Sequence, residues 1–348
     1  MIFLKNNIMK KLLIINLMII LTILTQTGKS QQATNDFYDD AETFDLPGTI
    51  TILVKGEIEN PGGTDITKLP LKSVIVKEAI AEGDANRFTG AYRYDGFSLY
   101  DILNPIILKK KNEAEFPPII DIFVKVENDR GESVVISWGE IYYPVYRHEI
   151  IIATKVARIV PSKTKDLWPL PVETKLIVGH DLLTERNISN PTSITVFSAT
   201  ATYSVNRELS PLFSPEIKIY HGEKFLDKIN SVPLSATRLK YETIFYGRGR
   251  GIHSTTPFYG ILLKEVLQPY FKMNQENLRT GYFVIASADG YRCVFTFSEV
   301  FNRNDQSEAL LVEDSKNQDG GAFRIFPAMD FFSDRAVKAV SEIRLIKE

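Results

Sequence analysis

The chain has 348 residues, 44% of them hydrophobic and 24% charged, values of a folded globular protein rather than a disordered one. That length leaves room for two ordinary domains, each large enough to bury a core. Residues 1–30 hold four lysines and no acid, so the remainder carries 37 basic against 43 acidic residues, a formal charge of −6. Such a balance argues against nucleic acid as a partner, because affinity for a phosphate backbone comes from a basic surface.

At the start, Lys5, Lys10 and Lys11 lead into an apolar run from Leu12 to Leu24, followed by the small residues of Gly28-Lys29-Ser30. A basic start, a short apolar stretch and a small-residue end read as a secretory signal over 1–30, with Met9 as a second candidate start. The apolar run falls short of the roughly 20 residues that cross a bilayer, and no later segment is apolar enough to span one. Polar residues 31–47, with Asp39, Asp40 and Glu42, are expected to form a loose leader. The single cysteine, Cys293, rules out an intrachain disulfide and a cysteine metal cluster. Export without disulfides suits a bacterial periplasm or cell surface.

From residue 48 onward the chain repeats itself, 48–200 against 215–348, with 201–214 as the linker. Alternating apolar residues predict a strand at Thr49–Gly56 and its match at Glu216–Gly222. Short elements closed by proline follow at Asp65–Leu71 and Lys228–Leu234. The pattern then predicts helices over Gly96–Leu103 and Gly260–Leu267. Next come two hairpins, each leading into a helix start: Phe123–Glu127 with Val134–Ile141, and Tyr282–Ala286 with Phe295–Val300. Apolar strands at Ile150–Ala153 and Ala309–Val312 precede closing segments that share one offset. There Lys175–Val178, Asp181, Arg186 and Ile194 answer Phe323–Phe326, Asp330, Arg335 and Ile343. Residues 154–174 are an insertion in the first half, where the second has a Gly320-Gly321 turn.

The order of elements in each half resembles the oxidoreductase molybdopterin-binding domain of sulfite oxidase-like enzymes. The likeness rests on the Gly-closed first strand, Leu69-Pro70, the segments Gly96–Leu103 and Gly260–Leu267, and Asp289-Gly290-Tyr291 before Ser298-Glu299. Asp330 and Arg335 complete it. The resemblance implies a mixed, strand-rich α+β fold, present here as a tandem duplication, with several small sheets around a pocket. It also implies a cysteine, three residues before a glycine, whose thiolate holds molybdenum. The matching glycines are Gly83 and Gly247, and the residues three before them are Ile80 and Ile244. An aliphatic side chain cannot supply the soft ligand. Both isoleucines are expected to be buried instead. Cys293 matches Val134 in the other half and is expected as a small buried residue.

Gly247, Arg248, Gly249, Arg250, Gly251, His253 and Ser254 form the most site-like stretch. Alternating glycines let backbone N–H groups converge on an anion, and guanidinium groups grip one bidentately. A solvated connector between strand and helix is the competing reading, and the first half has Gly83-Asp84-Ala85-Asn86-Arg87 there. His148, His180, His221 and His253 lack metal-ligand spacing, so no metal is expected. His180-Asp181 with Glu185-Arg186 reads as a repeated structural ion pair or cap rather than acid–base machinery. Tyr142, Tyr143, Tyr146, Phe331 and Phe332 fit either a groove lining or core. The resulting expectation is an exported, non-catalytic binding module without cofactor, whose ligand is a small anion or an envelope protein. The alternatives are a divergent oxidoreductase binding molybdopterin and a structural protein of envelope assembly.

Overall fold

The computed structural model describes residues 42–348 except 84, 162, 200–202 and 314–320. The signal, residues 31–41 of the leader, Asp84 and Gly320 lie outside the described residues. The first half runs β1 (Thr43–Asp45), β2 (Thr51–Gly56), β3 (Gly62–Asp65), β4 (Leu71–Glu82), β5 (Ala85–Ser98), α1 (Leu99–Leu103), β6 (Ile122–Asn128) and β7 (Ser133–Ser137). It continues with α2 (Trp138–Tyr142), β8 (Ile150–Arg158), β9 (Lys175–Val178) and β10 (Pro191–Ser198). The second half runs β11 (Ile217–His221), β12 (Lys224–Ile229), β13 (Leu239–Tyr241), β14 (Phe245–Gly247), β15 (Gly251–Ser254), β16 (Phe258–Leu262) and α3 (Leu263–Leu267). There follow α4 (Gln275–Thr280), β17 (Gly281–Ser287), β18 (Arg292–Thr296), α5 (Phe297–Phe301), β19 (Leu310–Glu313), β20 (Phe323–Phe326) and β21 (Val340–Lys347). The result is a strand-rich α+β fold with short helices.

Two sheets recur. One has the order β3-β2-β10-β6-β7 in the first half and β12-β11-β21-β17-β18 in the second. In each, the first and last long strands of the half lie parallel, and the other pairs are antiparallel. The other sheet joins β4, β5, β8 and β9, and its counterpart joins β13, β16, β19 and β20. The β6–β7 and β17–β18 hairpins turn on Gly131 and Gly290, with φ of 81° and 82°, a backbone region open to glycine without penalty. Asn128 and Asp289 accept backbone N–H groups within those turns.

Several expectations need correction. Residues 43–45 are not loose leader. They pair with Lys155–Ala157 of β8, and Leu46 is buried because Phe44 and Leu46 alternate onto the cluster of Tyr92, Tyr94 and Val156. The predicted helices shrink to five residues each, since β5 continues through Gly96 to Ser98 and β16 through Gly260 to Leu262. Gly96 faces Ala153 across the ladder so closely that a methyl group there would overlap the Ile152 carbonyl oxygen. Its missing side chain permits the sheet, which sequence periodicity reads as helix. The short element after Asp65 is a 3-10 turn capped by that aspartate, whereas its counterpart Lys228–Leu234 is the end of β12 and the irregular stretch after it. Residues 203–216 belong to the packed body: Asn206 donates to the Asp289 carbonyl, and the Ala322 N–H donates to that of Ser214.

Each half buries clusters of its own, with Ile52, Val124 and Ile194 in the first and Leu310 and Phe326 in the second, and the halves share further layers. Residues 42–348 form one compact unit. Phe123, Val135 and Ala199 pack with Tyr282, Val284 and Val294, joining the hairpin sheets of the two halves. Phe116, Ile120, Tyr143 and Leu183 enter the main cluster of the second half. At about 1.5–3 kcal/mol for each large apolar side chain fully buried, this shared layer couples the stability of the halves.

The close approach at Gly96 gives a direct test. Gly96→Ala is expected to lower stability by about 1–3 kcal/mol, as overpacking against a backbone atom does. Urea denaturation should show an earlier midpoint at unchanged m-value.

Candidate functional site

Both hairpins end in a hydroxyl that caps the following short helix. Ser137 accepts the N–H of Glu140 and Thr296 that of Glu299, and each glutamate accepts its cap's own N–H in return. This is a capping box, which satisfies two orphan donors at once. Each glutamate also meets an arginine from the closing segment of its half. Arg186 reaches Glu140 at 2.6 Å and Asp181 at 2.6 and 2.8 Å, and Arg335 reaches Glu299 at 2.7 Å and Asp330 at 2.6 and 2.8 Å. The side chains of all six residues have no exposed surface.

These two clusters interlock. Ser137 Oγ donates to Glu299 at 2.7 Å, and Thr296 Oγ1 donates to Glu140 at 2.9 Å. Arg186 reaches Thr296 Oγ1 at 3.2 Å, and Arg335 reaches Ser137 Oγ at 3.3 Å. The backbone repeats the exchange: Leu182 donates to the Asn302 carbonyl, and Phe331 donates to that of Tyr143. Gly139 lies against the Arg335 guanidinium, where a methyl group would overlap it. The Asp181–Arg186 and Asp330–Arg335 pairs expected as structural are therefore the inner faces of a clasp between the halves.

The two sides differ at one position. His180 Nε2 lies 3.0 Å from Glu140, whereas the residue before Asp330 is the buried Met329. Burial pushes both carboxyls up. Around Glu140 this is outweighed by Arg186 and His180, which hold it well below the usual range. Glu299 stays raised, since burial and repulsion by Glu140 outweigh Arg335 and the hydrogen bonds from Ser137 and the Thr296 N–H. Donor atoms of Glu140, His180 and Asp181 lie within 4.8 Å of one another, a grouping with metal-ligand chemistry. Both carboxylates already hold Arg186, whose guanidinium is the cation of the group. Cys293 is fully buried beneath Arg335, and burial holds its thiol protonated.

The glycine-arginine stretch is not a connector between strand and helix. β14 and β15 make a two-stranded hairpin whose tip is 247–251, with Gly251 at φ 73°. Arg248 is exposed and pairs with Asp334 at 3.3 Å, so its charge is partly matched. Arg250 and Gly249 are exposed, His253 packs on Phe245, and Ser254 bonds Thr256. Ile80 is half-buried in β4, facing Arg87. Ile244 is 72% exposed, so its expected burial is wrong: it precedes β14 on an outward-facing stretch that meets no core. No family model and no curated protein matches the chain.

Two cavities flank the segment after α2. One, of about 270 Å³, is lined by Tyr142, Tyr143, Pro144, Val145 and Arg147 from the first half and by Phe331 and Phe332 from the second. The other, of about 510 Å³, is lined by Val145, Tyr146, Arg147, His148, Glu149 and Gly179 with Ser73, Val74 and Ile75 of β4. Of the aromatic groups singled out in the sequence, Tyr143 is buried, while Tyr146 and Phe331 are 73% and 53% exposed. Arg147 is exposed, lies over the Tyr100 ring and donates to its hydroxyl. Among the described residues no carboxylate stands within ion-pair distance of it. His148 accepts or donates at Ser98 Oγ, 3.0 Å away; burial and Lys72 push it down against the pull of Asp101. Sequence reading passed over Arg147. The signal lay in the repeat itself, where apolar Pro144-Val145-Tyr146 stands opposite polar Arg303-Asn304-Asp305.

The clasp predicts an unequal response to neutralisation. Glu140→Gln is expected to cost about 3–5 kcal/mol, as removal of one partner from a buried ion pair does, and Glu299→Gln markedly less. Because Glu140 is depressed in the folded state, its stabilisation is complete above the usual glutamate pKa and is lost as pH falls towards the depressed value. Glu299 is raised, so its contribution is present at low pH and fades as pH rises through its folded value. Denaturant midpoints measured from neutral to acid pH should fall for the wild type and for Glu299→Gln, with a shallower slope for Glu140→Gln.

Proposed function

We propose that the chain is an exported, non-catalytic binding protein built on a duplicated molybdopterin-binding-domain scaffold. Its ligand joins an anionic group to an apolar or aromatic one and lies in the groove around Val145–Arg147. The observation that carries this reading is Arg147, exposed and, among the described residues, without an acidic partner, between a cavity walled by Tyr142, Tyr143, Phe331 and Phe332 and one lined by Ile75, Val145 and Tyr146. A guanidinium left unpaired beside apolar surface is suited to a carboxylate, sulfonate or phosphate with a hydrophobic body. The signal-like residues 1–30 support export. The matching sheet orders support a duplication, and the motif order supports the family scaffold. Ile80 and Ile244 supply no thiolate where the resemblance places the metal ligand. Arg248 and Arg250 form a second, competing anion contact at the hairpin tip.

An anilinonaphthalene sulfonate probe is expected to bind at one saturable site on the native protein. Arg147→Ala should weaken it by about tenfold, the loss of one charge-assisted hydrogen bond, while Arg248→Ala/Arg250→Ala leaves it unchanged. If the double variant loses the probe and Arg147→Ala keeps it, the hairpin tip is the site instead.

Protein purified from a host that makes the complete molybdenum cofactor is expected to contain no stoichiometric metal by elemental analysis. One molybdenum per chain would restore the oxidoreductase reading.

A further inference from the structure

One wall of the larger cavity is a row of consecutive residues, Ser73, Val74 and Ile75, from the middle of β4. This strand is the last in its sheet, paired with β5 on one side only. It is 12 residues long, whereas its counterpart β13 has three. Exposed edges of that length are usually shortened or covered, because their unpaired N–H and C=O groups recruit other strands. Here only the far end is covered. The Ala79 carbonyl accepts from Thr184 and the Ala81 N–H donates to Glu185. Main-chain groups of alternate residues point to the same edge of an antiparallel strand. The ladder shifts register between Glu78 and Ala79, but Ala91, opposite Lys77, accepts from Ile159 on its far side, so Lys77 directs its main-chain groups outward and Ile75 and Ser73 follow in phase. Among the described residues nothing pairs with them.

The chemistry beside this edge is apolar and basic. Ile75, Val145 and Tyr146 are 56%, 64% and 73% exposed. Lys77 and Arg147 are exposed and, among the described residues, have no acidic partner. Of the nearby acids, Asp95 pairs with Arg93, Asp101 accepts from Ser98 and faces Lys72 at 3.9 Å, and Glu78 is turned inward to Lys175. Glu149, 3.9 Å from His180, is the remaining acid on the wall.

We propose that the open edge of β4 binds an extended acidic peptide as an added strand. The peptide's main chain would pair with Ser73, Ile75 and Lys77, an apolar side chain would sit against Val145 and Tyr146, and a carboxylate would sit on Arg147. Strand addition takes affinity from main-chain bonds and specificity from alternate side chains. This inference names the ligand class for the groove and rests on the reading of that groove as the binding site.

The probe is a fluorescein-labelled octapeptide alternating glutamate with valine, tested by anisotropy against the full folded chain. It is expected to bind saturably, while a lysine–valine counterpart does not. Arg147→Glu should weaken binding by about tenfold or more, and Ile75→Asp, at an exposed position, should do likewise without unfolding the protein. N-methylation of alternate peptide amides along one edge should abolish binding, since it removes the main-chain donors and leaves charge and side chains in place. Equal binding of the N-methylated peptide would overturn strand addition. Binding of the sulfonate probe with no peptide binding would overturn this inference and leave the groove as a small-anion site. Dimers of the chain that Ile75→Asp returns to monomer would assign the edge to a second copy and also overturn it.

Discussion

Two arginines hold this molecule together at a place water does not reach. Arg186 and Arg335 each pair with an aspartate and a glutamate of their own half, and those glutamates take hydroxyl bonds from the other half. Burying six ionisable side chains is costly, and only near-complete hydrogen bonding offsets the desolvation. The arrangement therefore admits one docking of the halves and penalises others. A shift that broke Ser137–Glu299 would also break Thr296–Glu140, because the same helix starts carry both. The hydrophobic layer beside it supplies attraction, and the ionic clasp supplies orientation.

Much of the local structure was legible in the sequence, because hairpins and capping boxes are short-range objects. The alternation of Phe123–Glu127, the turn at Gly131 and the Ser137–Glu140 spacing define their elements without help from distant residues. The Asp–Arg pairs were legible as well, since five residues separate the partners and the pattern recurs. Their place at the centre was not, because it depends on contacts across more than 150 residues. Gly96–Leu103 misled for a different reason: its apolar spacing suits a helix, but a glycine pressed on the Ile152 carbonyl keeps it in the sheet. Ile244 was read by alignment to Ile80, yet Ile80 lies inside the long β4 whereas Ile244 stands just before the short β14. Arg147 escaped because an isolated arginine after a short helix has no pattern at all.

The halves also differ in the surfaces they present around matching sheets. The second keeps its edge strand to three residues and places Arg303, Asn304 and Asp305 after α5, with Arg303 engaged by Asp305. The first has a long open edge and an apolar, cationic segment after α2. Even at the clasp, His180 faces Met329 in the correspondence. Strand order matches where the halves share a core, and the differences gather at the exposed edge and after α2 and α5.

The parallel pairing of the first and last long strands in each half has a kinetic consequence. Leu53 lies beside Ser193 and Lys218 beside Glu342, so neither central sheet can be completed until nearly the whole half is available. Contacts this remote in sequence are paid for in chain entropy before they return any energy, which makes folding slow. The clasp adds a further delay, because its partners come from both halves. Each half therefore stays uncommitted until its own last strand is available, β10 in the first and β21 in the second.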